Sequence, residues 1–120
     1  MEETNFEWEV KSNDISFVFP HQLKTIDKKY FNFVLAVDCL HEMDKKTIKY
    51  YFDLINDLTN SFYFSIWNKT ILPYSKTLFN SGQRLDFNKN DYNIPKSWKC
   101  IFEENLIYPS NYLSLGYKIR

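Results

Sequence analysis

Asp38, Cys39, His41 and Glu42 fall together in one short stretch, and they are the residue types that move protons. An imidazole titrates near pH ~6.5 without help, so His41 is the natural general base of the set, with Glu42 able to orient it or a bound substrate. A metallohydrolase reading of the same stretch is weaker. The zinc-binding helix motif needs a second histidine on the next turn, whereas the chain runs His41-Glu42-Met43-Asp44-Lys45. The alternative to any chemistry is that Asp38 and Glu42 cap a short connection and His41 is solvated.

Chemistry at this stretch depends on what positions it. Phe33 to Val37 is apolar without alternation, the pattern of a strand buried on both faces in a parallel sheet, and it ends at Asp38. Asp44 can cap a helix over Lys45–Leu58, where Ile48, Tyr51, Phe52, Ile55 and Leu58 share one face, with Lys45, Lys46, Lys49, Asp53 and Asp57 on the wet face. Phe62–Trp67 follows directly as a second strand. Strand, helix and strand with short joints predict a parallel βαβ unit. Ligands in open α/β sheets bind beyond the carboxyl ends of strands, which would bring Trp67 and Asn68 beside Asp38, His41 and Glu42.

The rest of the chain is read in the same terms. Ile15–Phe19 reads as a short strand stopped by Pro20, and His21–Lys29 as a turn or brief helix. Residues 69–97 lack periodicity and hold Pro73, Gly82 and Pro95, which reads as one long loop. Trp98–Leu106 and Tyr112–Ile119 read as a closing antiparallel pair. With 120 residues, the chain is expected to form one α/β domain over 1–120.

Composition excludes several function classes. The 15 basic and 15 acidic side chains balance, which removes the footprint of a nucleic-acid or anionic-membrane binder. The only glycines, Gly82 and Gly116, are too far apart for a nucleotide-binding loop. No apolar run approaches the ~20 residues of a membrane span. Two cysteines, Cys39 and Cys100, make no disulfide framework, and together with the lack of a secretory leader this points to a cytoplasmic location.

The run Asp38-Cys39-Leu40-His41-Glu42-Met43, followed by Ile48-Lys49-Tyr50-Tyr51-Phe52, resembles the C-terminal half of the sugar O-methyltransferases encoded with bacterial polysaccharide genes. Phe19-Pro20-His21-Gln22-Leu23, Phe62-Tyr63, Asn68, Trp98–Glu103 and Tyr117–Arg120 are similar to other parts of that half, so the resemblance spans most of Ile15–Arg120. The family implies a Rossmann-like sheet of order 3-2-1-4-5-7-6, S-adenosylmethionine as cofactor and a sugar or glycan acceptor. A site of that kind would have Glu42 as a catalytic residue, Asp38 at the cofactor, and Trp67 and Asn68 at the substrate, while His41 joins Glu42 as a catalytic residue on its titration range and not through the family. His41 departs from the glutamine of many relatives, and the family's first two strands and glycine loop have no counterpart here. The expectation is therefore a partial methyltransferase sheet, inactive by itself, that works with a separate N-terminal half or as a homo-oligomer. A non-catalytic α/β protein-interaction module, using the 69–97 loop, is the competing expectation.

Overall fold

The computed structural model describes residues 10–67, 88–107 and 112–119. Among them lies a mixed α/β fold built on one open four-stranded sheet, in the order β1-β2-β4-β3. The strands are β1 (Val34–Val37), β2 (Ser61–Trp67), β3 (Lys99–Asn105) and β4 (Tyr112–Lys118), and α1 (Lys45–Leu58) connects β1 to β2. The expected βαβ unit is present: β1 and β2 run parallel, with Val34 opposite Phe62 and Val37 opposite Ser65. The expected closing pair is also antiparallel, but β4 does more than close a hairpin. It inserts between β2 and β3, antiparallel to both, with Ser61 opposite Lys118 and Trp67 opposite Tyr112.

Helix α1 begins where the Asp44 carboxylate accepts a 2.7 Å hydrogen bond from the Thr47 amide, satisfying a donor that has no partner inside the helix. Its apolar stripe buries Ile48, Phe52, Ile55 and Leu58, while Lys45, Lys46, Lys49, Asp53 and Asp57 stay exposed. The other end is closed by Lys29, whose positive φ of 58° lets the chain double back. The Lys29 amide donates to Asp57 O at 2.7 Å, and its ammonium donates to the carbonyls of Asn56 and Thr59. A cation among the last carbonyls of a helix is favourable for the macrodipole. Docked this way, the chain enters β1 alongside the strand that leaves the helix.

The core lies between α1 and one face of the sheet. Phe62, Phe64, Ile66, Leu113, Leu115 and Tyr117 point there, and Phe52 sits over Phe62, Phe64 and Trp98 with ring centroids 6.2, 6.0 and 5.2 Å away. The Trp98 indole N–H donates to the Asn56 side chain at 3.0 Å, so even the polar edge of this ring is satisfied. The opposite face is thinly covered. Leu35 and Val37 are 58% and 53% exposed there, and the Phe102 ring covers Gly116, where any Cβ would overlap it.

Three expectations are corrected. Phe33–Val37, read as a strand buried on both faces, supplies an edge strand packed on one face only, with Phe33, Leu35 and Val37 more than half exposed on the other. Ile15–Phe19 forms no strand: it is irregular, with Ile15, Phe17 and Phe19 exposed at 80%, 99% and 67%. Pro20 does hold Phe19 extended, but as the entry to a 3-10 helix (Pro20–Thr25) in which the Phe19 amide donates to Gln22 Oε1 at 2.8 Å. Phe19 itself is extended, and no described strand pairs with the segment. The described end of the 69–97 loop is ordered as a 3-10 helix (Lys89–Tyr92), capped by the Asn88 side chain, that buries Tyr92 in the core. Residues 69–87 of that loop lie outside the described residues. No described helix is long and apolar enough to cross a membrane.

Candidate functional site

The carboxyl end of β1 holds a polar cluster assembled from three strands. Asp38 leaves β1 with a φ of 54°, a left-handed conformation that aspartate tolerates better than most non-glycine residues. Two neighbours fix it there. Its amide donates to Ser65 Oγ of β2 at 3.1 Å, and the Tyr112 hydroxyl of β4 donates to its Oδ1 at 2.5 Å. Departures from relaxed backbone persist only where surrounding contacts over-determine them, and they gather at functional sites.

A 3-10 helix (Leu40–Glu42) follows at once, turning Leu40 and His41 inward and Glu42 outward. The His41 side chain is 3% exposed, and its Nε2 lies 3.3 Å from Asp38 Oδ1 and 3.2 Å from Glu42 Oε1. Its ring meets the Tyr112 ring edge to face at a centroid distance of 5.7 Å. Both carboxylate side chains are 59% exposed. The imidazole is thus a buried backing for two carboxylates that face solvent, and the solvated histidine considered above is not what the fold forms. Beside them, burial pushes the Cys39 thiol up from its ordinary pKa, and the Asp38 charge adds to this.

Asp38, His41 and Glu42 therefore come together as the sequence suggests. Trp67 closes β2 in register with Tyr112, which places its backbone at the same edge, and Asn68 lies outside the described residues. Ser65 and Tyr112 were not singled out by sequence reasoning. The signal for Ser65 is a small hydroxyl inside the otherwise apolar run Phe62–Trp67. The signal for Tyr112 is positional: an antiparallel strand beside β2 must start where β2 ends.

The chemistry open to this cluster is proton transfer and the binding of hydroxyl or cationic groups at two oriented carboxylates. Both carboxylates approach the same imidazole nitrogen, and no described group of three His, Cys, Asp or Glu side chains is arranged to hold a metal ion. The described residues do not fit S-adenosylmethionine by themselves. Gly116, the one described glycine, lies inside β4 under the Phe102 ring, where it serves packing and leaves no room for a ligand. A cleft of about 390 Å³ lies elsewhere, bordered by Leu23 and Ile26 on one side and Tyr50, Leu54 and Leu58 of α1 on the other.

Comparison of the sequence with protein-family models and with curated proteins gives no match in either case.

Proposed function

We propose that this chain is the acceptor-side half of an S-adenosylmethionine-dependent sugar O-methyltransferase domain, cytoplasmic, with the cofactor-binding strands supplied by another segment or chain. The strand order carries the reading. An order β1-β2-β4-β3, in which β1 and β2 are parallel and the last strand inserts antiparallel beside β2, has the arrangement expected for the 4-5-7-6 portion of a sheet of order 3-2-1-4-5-7-6. On that alignment the free edge of β1 is where the first strand of the class would pair. The polar cluster then lies at the strand ends where α/β enzymes bind ligands.

Roles follow from exposure. Glu42 is the group that meets a sugar hydroxyl and accepts its proton, because its side chain reaches solvent while His41 does not. His41 acts through the carboxylates as a positioning residue, holding both within hydrogen-bonding range of Nε2. Asp38, fixed by Tyr112 and Ser65, stands at the carboxyl end of β1, the strand beside which the cofactor half would pair. Trp67, which closes β2, and Asn68 are assigned to the acceptor.

Calorimetric titration tests the reading. The chain alone should give no heat with S-adenosylmethionine, since one wall of a pocket cannot repay the roughly 4–15 kcal/mol of ligand freedom lost on binding. The chain joined to the cofactor-binding half of a methyltransferase of this class should give a micromolar isotherm. Binding by the chain alone would overturn the half-domain reading. A joined protein that folds, ties a strand to β1 and yet binds no cofactor would favour the non-catalytic interaction module.

A further inference from the structure

The two edges of the sheet are built differently. Edge strand β3 is guarded: it carries Lys99, Glu103 and Glu104, and its pairing with β4 shifts register between Cys100 and Phe102. Charges and bulges on an edge strand are the usual devices that stop another strand from adding to it. Edge strand β1 has none of them. It reads Val34-Leu35-Ala36-Val37, regular, uncharged and free of proline, and no described strand pairs with its outer side. Phe33, Leu35 and Val37 are 55%, 58% and 53% exposed on the thinly covered face. An edge of this kind accepts another strand.

We infer that two copies of this chain pair through β1, antiparallel about a two-fold axis perpendicular to the sheet. The geometry is self-complementary, as an isologous contact requires. A perpendicular axis keeps each face on its own side, so the copies can be centred with Leu35 opposite the partner's Leu35. Phe33 then lies opposite the partner's Val37, and Val34 opposite the partner's Ala36. This gathers the exposed Phe33, Leu35 and Val37 of both copies into one apolar patch and continues the sheet across the axis.

Charge selects the antiparallel self-pairing over a stray strand. Before β1 the chain presents the exposed Lys28, its neighbour Asp27 being paired with Lys11 at 3.0 Å, and after β1 it is acidic, at the exposed carboxylates of Asp38 and Glu42. Antiparallel pairing sets the basic start of each copy toward the acidic end of the other. The inference stands on the edge alone and does not depend on the methyltransferase reading. The two meet at one point, since a cofactor-binding half that adds a strand to β1 would compete with the second copy.

Sedimentation equilibrium on the full chain, with Leu35→Lys and Ile101→Lys variants, tests it. The wild type should sediment at twice the chain mass. Leu35→Lys places like charges at the axis and should raise the dimer dissociation constant by roughly thirtyfold or more, whereas Ile101→Lys, on the guarded edge, should leave it unchanged. Both positions are exposed at more than half, so neither change empties the core. Amide hydrogen exchange on the wild type gives a second reading: protection across Phe33–Val37 should rise with protein concentration. A monomer at millimolar concentration, a dimer indifferent to Leu35→Lys, or β1 protection independent of concentration would overturn the inference. None of these outcomes bears on cofactor binding, so the failure of one reading is distinguishable from that of the other.

Discussion

Replacing Phe52 with alanine removes the side chain on which α1 and the sheet converge. The ring is 2% exposed and touches Phe62, Phe64 and Trp98, at the centre of the one core that spans helix and sheet. Loss of a buried phenylalanine costs transfer energy plus the cavity left behind, about 3–5 kcal/mol. A single domain holds about 5–15 kcal/mol in all, so the variant should sit near the limit of folding. At the ~2–8 °C per kcal/mol of small and medium domains, its thermal midpoint should fall by well over ~6 °C. The assay is urea unfolding followed by far-ultraviolet circular dichroism, with Lys46→Ala as control. Lys46 lies on the wet face of the same helix, and its removal should change stability by no more than ~0.5 kcal/mol. A midpoint for Phe52→Ala within error of Lys46→Ala, at unchanged slope, would refute the packing of α1 on this sheet.

Other expectations rest on single contacts. Asp44→Ala removes the cap of α1 and should cost ~1 kcal/mol in urea unfolding, with Asp44→Ser recovering most of it. Lys29→Ala loses both ammonium contacts at the helix end and keeps an unfavourable positive φ, so it should cost more than Lys29→Gly, which relieves the backbone, in parallel melts. For Cys39, the folded chain disfavours the thiolate relative to the unfolded chain. Its contribution to stability is therefore intact below the ordinary thiol range and is lost as pH rises through that range toward the raised value. In a Cys100→Ser background, alkylation of Cys39 should keep accelerating above the pH at which the urea-unfolded chain levels off, and coincident profiles would contradict the burial of this thiol.

The βαβ unit was legible because its information is local. A continuous apolar run, an aspartate cap and a helical stripe each imply one element, and Ile48, Phe52 and Ile55 turn out to face the sheet together. The insertion of β4 between β2 and β3 was not legible from residues 99–118, since any antiparallel neighbour satisfies their pattern. Ile15–Phe19 misled for the opposite reason: the strand-like residues are real, but sheet membership is decided by a partner the local sequence does not contain. At the site, the sequence brought Asp38, His41 and Glu42 to one edge, yet which of them meets solvent depends on a tight turn. That turn directs His41 under Tyr112, a residue separated from it by most of the chain's second half.

Methyl transfer measures most directly the proton transfer from a sugar hydroxyl proposed for this edge. Joined to a cofactor-binding half, the chain should pass a labelled methyl group from S-adenosylmethionine to a sugar acceptor. Glu42→Gln should slow that transfer by about 10²–10⁴-fold while leaving the cofactor isotherm unchanged, the usual worth of a positioned general base. Transfer at the wild-type rate by Glu42→Gln, in a joined protein that binds the cofactor normally, would contradict the role proposed for Glu42.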